Sequence, residues 1–309
     1  MTALGEHVAD YLALRRSLGF KLVHEGHILP QFAAYLESAG SSRITTDLAI
    51  TWARLPAGVQ PVTWTHRLGA VRGFARYLHA IDPATEIPPR AVFAGQGKRP
   101  TPYVYSDTDI DRLLTAAGDL RPALRAATYR NLFGLLAVSG MRIREALNLR
   151  RTDLDLRAGV VTVIGGKSGA TTRLLPLHPS TIAALRGYQR LRDRSCPAAT
   201  ADTVFISTRG TALTYGPVRD TFNRLTTTIG LRTATVHPRI HDLRHSFAVH
   251  TLIGWYRSGE EVAARLPALS TYLGHVNPAG TYWYLTAVPE LMGLAAQQLG
   301  SGDPDRSRS

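Results

Sequence analysis

The chain has 309 residues, of which 44% are hydrophobic, and a formal net charge of +13, which predicts a globular protein of two domains with a polyanion, first of all nucleic acid, as its partner. Its single cysteine, Cys196, excludes an intrachain disulfide and any metal site built on cysteines, and favours a reducing cytoplasmic setting. No signal peptide and no apolar run of about 18 residues is found, so no membrane partner is expected.

The first 80 residues predict four helices. Gly19 and Gly40 suit the ends of the first two, and Thr46 suits the cap of a short third. Apolar residues repeat at helical spacing in the first, second and fourth helices: Leu4, Val8, Tyr11, Leu12 and Leu18; Ile28, Phe32, Tyr35 and Leu36; Leu68, Val71, Phe74 and Leu78. Residues 1–82 are therefore predicted to form an all-helical domain.

Residues 83–105 are predicted to be an extended linker. The stretch DPATEIPPRAVFAGQGKRPTP, residues 82–102, holds five prolines and two glycines without a helical or alternating pattern. Lys98 and Arg99 lie in it. A basic extended linker is suited to follow a phosphate backbone, and a plain solvated linker is the alternative.

The second predicted domain, residues 106–300, combines helices with a small sheet. Ser106 and Asp109 have the spacing of a capping box. GVVTVIGG and ATTRLLPL predict a hairpin joined through KSG, and TVFIST predicts a further strand. Helical patterns return from residue 214, with a turn at HPRI, and residues 301–309 are expected to be disordered. The predicted fold class is mainly α with a small antiparallel β-sheet.

Two segments of this domain carry charges at special positions. Arg142 and Glu145 stand three apart at the start of a helix after Gly140, on one face; a surface ion pair is the alternative. Lys167 lies near the hairpin tip and is one of three lysines among 36 basic residues. Since arginine cannot release its proton, a lysine here indicates a titratable proton, with a solubilising side chain as the alternative.

The segment HPRIHDLRHSFAVH is rich in histidine. On one continuous helix, His237, His241 and His245 would align as metal ligands. Pro238 makes the helix start at or after His237, however, which moves that side chain off the row, so no metal site is predicted. His241 and Arg244 share a helix face and suit a pair of phosphate oxygens.

The segment LGHVNPAGTYWYL places Tyr284 nine residues after His275. Residues two apart on a helix face roughly 200° apart, so Tyr282 and Tyr284 cannot present their hydroxyls to one point. Tyr282 and Trp283 are predicted to pack, and the proline and glycine of VNPAG are predicted to break the helix.

Two more segments offer binding surfaces. Arg219 and Arg224 lie outside a predicted buried stripe of Phe222 and Leu225, and so suit phosphate contacts or a solvated face. The segment AVPELMGLAAQQLG predicts a short amphipathic helix. Its apolar positions are Leu291, Met292, Leu294 and Leu299.

Taken in chain order, SGMRIREALNL, GGKSGATTRLLPL, HDLRHSFA and LGHVNPAGTYWY resemble the motifs of the tyrosine recombinase (phage integrase) family. The resemblance spans residues 106–290 and is nearest to mobile-element integrases and transposases. The first domain is similar to the family's core-binding domain in position and class, and the two domains are then expected to form a clamp around DNA. The implied catalytic residues are Arg142, Lys167, His241, Arg244, His275 and Tyr284.

The resemblance implies site-specific cleavage and rejoining of DNA through a 3′-phosphotyrosine and a Holliday junction. Tyr284 would attack the phosphate. Arg142 and Arg244, with a hydrogen bond from His275, would stabilise the charge that grows on the phosphate oxygens. Because these side chains would stabilise that charge, no metal is expected, and because the exchanged bonds are nearly equal in energy, no ATP or other cofactor is expected.

Three residues have supporting roles under the same resemblance. Lys167 would act as the general acid that protonates the 5′ hydroxyl leaving group. His241 would assist proton transfer at the tyrosine or the phosphate. Glu145 would support the first arginine by bonding to a neighbouring side chain or amide.

The implied partners are double-stranded DNA with inverted-repeat core sites, three further copies of the chain in a tetramer, and an accessory recombinase or directionality protein, in the nucleoid of a prokaryote. The C-terminal helix would dock on a neighbouring protomer, with packing on its own domain as the alternative. A type IB topoisomerase and an inactive DNA-binding regulator are the alternative functions.

Overall fold

The computed structural model describes residues 3–93, 101–165, 171–275, 277 and 279–300. The chain divides into two compact units, Met1–Pro100 and Thr101–Ser309. Within the described ranges, no helix is both long enough and apolar enough to cross a bilayer.

The first unit contains the four predicted helices. They are α1 (Ala3–Ser17), α2 (Val23–Ser38), α3 (Thr46–Arg54) and α4 (Pro61–His79). Their apolar stripes meet in one core, in which Phe32, Leu36 and Phe74 are fully buried. Gly19 and Gly40 follow α1 and α2 with φ of 85° and 67°, left-handed values that favour glycine at a helix end.

The cap of α3 differs from the prediction. Thr45, not Thr46, is the capping residue: its backbone is extended and its side chain accepts a hydrogen bond from Leu48 N at 3.3 Å. Thr46 is already helical, and its N–H donates to Glu86 Oε2 at 2.7 Å. A cap needs non-helical dihedral angles, which only the first of the two threonines has.

The predicted linker is only partly a linker. Residues 82–93 form no helix or strand, yet they pack on the first unit: Glu86 N donates to Ile44 O at 2.9 Å and Arg72 Nε donates to Pro88 O at 2.8 Å. At its other end, Tyr105 is fully buried in the second unit. Hydrogen-bonded backbone at one end and a buried side chain at the other keep these two parts of the segment from extending into solvent. Lys98 and Arg99 lie outside the described residues.

The second unit holds nine α-helices, one short 3₁₀ helix (Arg151–Asp153) and three strands among its described residues. The helices are α5 (Asp107–Gly118), α6 (Ala123–Ser139), α7 (Ile143–Leu147), α8 (Pro179–Ser195), α9 (Tyr215–Thr228), α10 (Ile240–Arg257), α11 (Val262–Leu273), α12 (Ala279–Ala287) and α13 (Pro289–Gly300). The strands are β1 (Leu154–Asp155), β2 (Val160–Gly165) and β3 (Thr171–Pro176), in antiparallel order β1-β2-β3. The predicted fold class is confirmed.

Of three local predictions in this unit, two are confirmed and one is wrong. The capping box of α5 is present, since Ser106 Oγ accepts from Asp109 N at 3.1 Å and Asp109 Oδ2 accepts from Ser106 N at 3.2 Å. The β2–β3 hairpin is also confirmed, with Val163 opposite Arg173. The strand predicted for TVFIST is wrong. Phe205 there is fully buried, but the segment pairs with neighbours only at isolated bridges, because burial of a short apolar run does not require a ladder.

The C-terminal helix packs on its own unit. Leu291 of α13 is fully buried in a cluster with apolar residues of α10 and α11, and Glu290 Oε1 accepts from Arg257 Nη2 at 3.0 Å. Met292 is 55% exposed. The described residues of α13 therefore make the contact with their own domain that was the alternative to docking on a neighbour.

Candidate active site

The first arginine is held at the start of a short helix. Gly140 ends α6 with φ of 61°, and a Cβ there would lie 2.6 Å from Phe247 Cδ1, so only glycine fits this turn. Arg142 then precedes α7, with its backbone N–H donating to Glu145 Oε2 at 2.8 Å and its Nη1 donating to Glu145 Oε1 at 2.9 Å. Its Nη2 donates to Gly274 O at 2.6 Å. The predicted pairing of Arg142 with Glu145 is thus present.

A second arginine holds the same carboxylate. Arg173 of β3 donates from Nη2 to Glu145 Oε2 at 2.6 Å and from Nη1 to Oε1 at 3.1 Å, and the two side chains are only 11% and 9% exposed. Burial alone would raise the pKa of the Glu145 carboxyl, but hydrogen bonds from Arg173 and Arg142 hold that pKa below its ordinary value. Glu145 is therefore an anion that fixes two guanidinium groups.

The other predicted arginine is buried in the second unit. Arg244 of α10 is 1% exposed and donates from Nη1 to Gly140 O at 2.8 Å and from Nη2 to Leu273 O at 2.6 Å. Burial and the positive charge of Arg142 lower its pKa to about 10, so it still carries its charge at neutral pH. Its two bonds tie the turn before α7 and the end of α11 to α10.

Both arginines meet at one point of the backbone. Arg244 binds the carbonyl of Leu273 and Arg142 binds the carbonyl of Gly274, and the next residue is His275. Gly274 has φ of 67°, and a Cβ there would lie 2.7 Å from Arg173 Nη1. This glycine therefore allows the guanidinium groups to approach the chain closely.

Two histidines of α10 lie beside these arginines. His241 keeps an exposed edge, but the protein atoms around the rest of its ring and the charge of Arg244 lower its pKa to about 4, so it is neutral at pH 7. His245 is 4% exposed and contacts His241 edge to face, with ring centroids 4.6 Å apart. Because α10 begins at Ile240, His237 lies outside the helix, as Pro238 predicts.

Tyr284 lies in α12 against α10. Its side chain is 1% exposed, and its Oη is 3.0 Å from His245 Nδ1. The ring of His275 stacks on it with centroids 6.4 Å apart. The tyrosine that the spacing selected thus lies with the predicted arginines and histidines.

His275 is oriented by α12. Its backbone N–H donates to Ser270 O at 3.0 Å, and its Nδ1 is 2.8 Å from Thr281 Oγ1. The helix break predicted for VNPAG is confirmed, since α11 ends at Leu273 and α12 begins at Ala279, but Gly280 does not contribute to it because it belongs to the first turn of α12. A Cβ at Gly280 would lie 3.4 Å from His275 Nδ1, so this glycine serves close packing on the imidazole. Pro278 is outside the described residues.

The predicted packing role of Tyr282 is wrong, whereas that of Trp283 is confirmed. Tyr282 is 50% exposed, while Trp283 packs against the cluster that contains Tyr284. The physical reason is the helical rotation of about 200° over two residues: a helix that turns Tyr284 inward turns Tyr282 outward.

Of the remaining predicted residues, the structure describes only Arg219 and Arg224. Lys167 lies outside the described residues. Arg219 and Arg224 are exposed on α9, whose Phe222 and Leu225 are buried as the stripe predicted. Arg219 pairs with Asp220 at 2.9 Å.

Arg173 and His245 were not predicted as site residues. The signal for Arg173 was its position two residues before Leu175 on a strand, which places a charged side chain on the buried face, where it needs a buried counter-ion. His245 occupies the buried face of α10 four residues before Val249 and was considered only as a metal ligand. Its contact with Tyr284 joins residues 39 apart, which no local pattern reveals.

Comparison with known proteins agrees with this geometry. The model of the phage integrase family matches residues 104–290. The putative integrase/recombinase y4rB of Sinorhizobium fredii (strain NBRC 101917 / NGR234) is 46% identical over 315 residues, covering 99% of this chain and 100% of that protein. Tyrosine recombinase XerC of Xanthomonas campestris pv. campestris (strain B100) is 34% identical over 227 residues, covering 74% of this chain and 64% of that protein.

Solved structures share the fold. The Tn1549 transposon integrase in complex with a circular intermediate DNA gives a TM-score of 0.69 at 16% identity, over 97% of this chain and 100% of that chain. The XerH site-specific recombinase bound to palindromic difH substrate gives a TM-score of 0.66 at 21% identity, over 87% of this chain and 77% of that chain. The chain belongs to the phage integrase family of tyrosine recombinases.

Proposed function

We propose that this protein cuts and rejoins DNA at specific sites, with Tyr284 as the nucleophile that becomes linked to a 3′-phosphate. One observation carries the proposal: Arg244 donates to the carbonyl of Leu273 and Arg142 to the next carbonyl, that of Gly274, directly before His275. Two guanidinium groups and an imidazole are thereby gathered beside a tyrosine, the set that an in-line attack on a phosphodiester requires.

The two arginines are suited to the charge of the transition state. A guanidinium has five N–H donors in a fixed fork, and the bonds of Arg244 to two carbonyls fix that fork without using all of its donors. Arg142 is fixed in the same way by Glu145 and Gly274. Because both side chains are ordered before DNA binds, little reorganisation is needed when charge grows on the phosphate oxygens.

Proton transfer completes the proposed reaction. Lys167 serves as the acid for the departing 5′ oxygen, and its hairpin is anchored by β3, whose Arg173 binds Glu145. His241, neutral at pH 7, assists at the phosphate. The phosphotyrosine keeps the energy of the broken bond, so the proposed cycle of cleavage, Holliday junction and rejoining uses no ATP. It uses no metal because the two arginines stabilise the charge on the phosphate.

The proposed substrate is double-stranded DNA with inverted-repeat core sites, in integration, excision or transposition. The solved structures that share the fold support it, since the transposon integrase is in complex with a circular intermediate DNA and XerH is bound to a palindromic difH substrate. The named relatives are integrases and recombinases, which favours this function over a type IB topoisomerase. Arg219 and Arg224 on exposed α9, together with Lys98 and Arg99, are proposed phosphate contacts in the nucleoid.

Covalent trapping tests the proposal. DNA selected by binding from a random duplex pool is nicked so that the cleaved end diffuses away, and the adduct is digested and sequenced by mass spectrometry. We expect a nucleotide on Tyr284, in EDTA as well as in magnesium. An adduct on Tyr282 would move the nucleophile, and DNA binding without any adduct would support an inactive regulator.

Assembly on DNA is the second part of the proposal: four copies pair two sites, with an accessory recombinase or directionality protein, and α13 contributes its exposed face to a neighbour. Met292 is 55% exposed while Leu291 fills the chain's own core, so Met292→Glu alters the outer face alone. We expect Met292→Glu to bind a single site normally but to form fewer tetramers in sedimentation with DNA. Arg194→Glu on exposed α8 is the control, and equal tetramer formation by both variants would contradict this role.

A further inference from the structure

A histidine that the proposed mechanism leaves unused contacts the nucleophile. His245 Nδ1 is 3.0 Å from Tyr284 Oη, and the two side chains are 4% and 1% exposed. In the neutral imidazole tautomer with the proton on Nε2, Nδ1 accepts the hydrogen bond of the phenol. The contact therefore joins the atom that must lose a proton to an atom able to take one.

A buried phenol needs a protein base. Tyrosine has an ordinary pKa of about 10, so the attacking oxygen still carries its proton at neutral pH. The Tyr284 side chain is almost completely enclosed by protein, so bulk water is poorly placed to take that proton. Histidine is the side chain whose ordinary pKa lies nearest to neutral pH, and His245 is in hydrogen-bonding distance.

The same ring connects the nucleophile to the surface. His245 touches Tyr284 on one side and His241 on the other, where the ring centroids are 4.6 Å apart in an edge-to-face contact. His241 keeps an exposed edge. The order Tyr284, His245, His241 thus runs from the buried phenol to the outer part of the site.

We propose that His245 is a catalytic residue that accepts the phenolic proton of Tyr284 during attack on DNA. His245 Nδ1 takes the proton from Oη as the bond from Oη to phosphorus forms and the bond from phosphorus to O5′ breaks, and O5′ takes its proton from a separate acid. In the rejoining step, the imidazolium returns the proton to Oη. The inference rests on the proposed role of Tyr284.

The rate should depend on pH through this imidazole. The titratable side chains in ring contact with it are His241 on α10 and Tyr284 on α12. Arg244 on α10, Arg142 before α7 and His275 between α11 and α12 are the other charged or titratable groups of the site, and none of the five is altered in the single substitutions compared with wild type. A difference between the profiles of wild type and variant therefore isolates His245.

Single-turnover adduct formation on the nicked duplex, measured over a range of pH, gives the first test. His245→Phe keeps a ring but no nitrogen, and His245→Asn keeps an acceptor that cannot hold a proton. We expect both to be slower by about 10²- to 10⁴-fold and to lose the wild-type rise of rate with pH. His250→Asn on the same helix is the control and should match wild type. If His245→Asn reacts with the wild-type rate and pH profile, His245 has only a structural role and the inference fails.

Chemical rescue separates the two proton transfers. Fluorinated tyrosine at position 284 has a more acidic phenol and should recover much of the rate lost in His245→Phe. DNA with sulfur in place of the 5′ bridging oxygen needs no acid for its leaving group, so it should not recover the rate lost in His245→Phe. The reverse pattern would assign His245 to the leaving group and overturn the inference. If His245→Phe does not fold, fluorinated tyrosine at position 284 is combined with His245→Asn for the same comparison.

The outcomes for the two proposals remain distinct. If the wild-type adduct lies on a residue other than Tyr284, the proposed nucleophile is wrong. If the adduct lies on Tyr284 and both His245 variants react with the wild-type rate and pH profile, only the present inference is wrong.

Discussion

Replacing Tyr284 with phenylalanine should abolish covalent protein–DNA adducts while leaving DNA binding intact. In the proposed mechanism, the substitution removes the one atom that forms the bond to phosphorus. The ring keeps its place in the core, where the side chain is 1% exposed. Loss of the hydrogen bond to His245 should cost only about 1 kcal/mol of unfolding free energy.

Tyr282→Phe is the matched control for this prediction. Tyr282 stands two residues away on the opposite face of α12 and is 50% exposed, so its hydroxyl faces away from the arginines. The expected adduct yield is close to that of wild type, read on a denaturing gel with labelled DNA. Adducts that persist in Tyr284→Phe and vanish in Tyr282→Phe would exchange the two roles.

The second large effect is expected at the ion pair of Arg173 with Glu145. Arg173→Leu leaves a carboxylate that is 9% exposed with one guanidinium instead of two. Removing one member of a buried pair typically costs about 3–5 kcal/mol, and here the remaining bond to Arg142 sets the lower part of that range. Chemical denaturation measures the loss of stability.

Activity should fall with stability in the same variant, because Glu145 holds the Arg142 guanidinium in position. We expect adduct formation by Arg173→Leu to be slower by on the order of 10-fold or more, measured where the variant is fully folded. Arg151→Leu is the matched control. Its partner Asp193 and Arg151 itself are 45% and 46% exposed, so this surface pair should contribute about 0–1 kcal/mol and nothing to the rate.

The double variant Glu145→Leu/Arg173→Leu distinguishes a true pair from two separate losses. Removing both charges leaves no uncompensated ion at this point, so its loss of stability should be smaller than the sum of the single losses. Additive losses would contradict the pairing. The double variant should still be slow, since Arg142 then lacks its anchor.

Acid should weaken the same pair. The pKa of Glu145 is lower in the folded chain than its ordinary value near 4.5, so folding favours the ionised carboxyl. This contribution to stability is complete above about pH 4.5 and is lost as pH falls through the folded-state pKa. Glu145→Gln, which cannot ionise, should therefore lose stability relative to wild type near neutral pH and show a smaller difference in acid.

Much of the local structure follows from short-range patterns. The apolar spacing in the first unit, the capping box of Ser106 and the β2–β3 hairpin all depend on residues a few positions apart, whose interactions are fixed by helix and strand geometry. The wrong predictions also concern single residues or short segments. The cap of α3 is Thr45, one residue before the predicted Thr46. The run TVFIST forms no strand, because a short apolar run buried in a tertiary core has the same sequence pattern as a strand.

The sequence by itself determined the family, through the order of its motifs, and it predicted Tyr284 as the nucleophile through its offset from His275. Only the tertiary structure decided how these residues are held. Arg142 reaches a carbonyl 132 residues away, Arg173 meets Glu145 from 28 residues away, and His245 meets Tyr284 across 39. Such contacts depend on how helices and a strand pack around one core, and packing selects among many residues of suitable chemistry that no periodicity distinguishes.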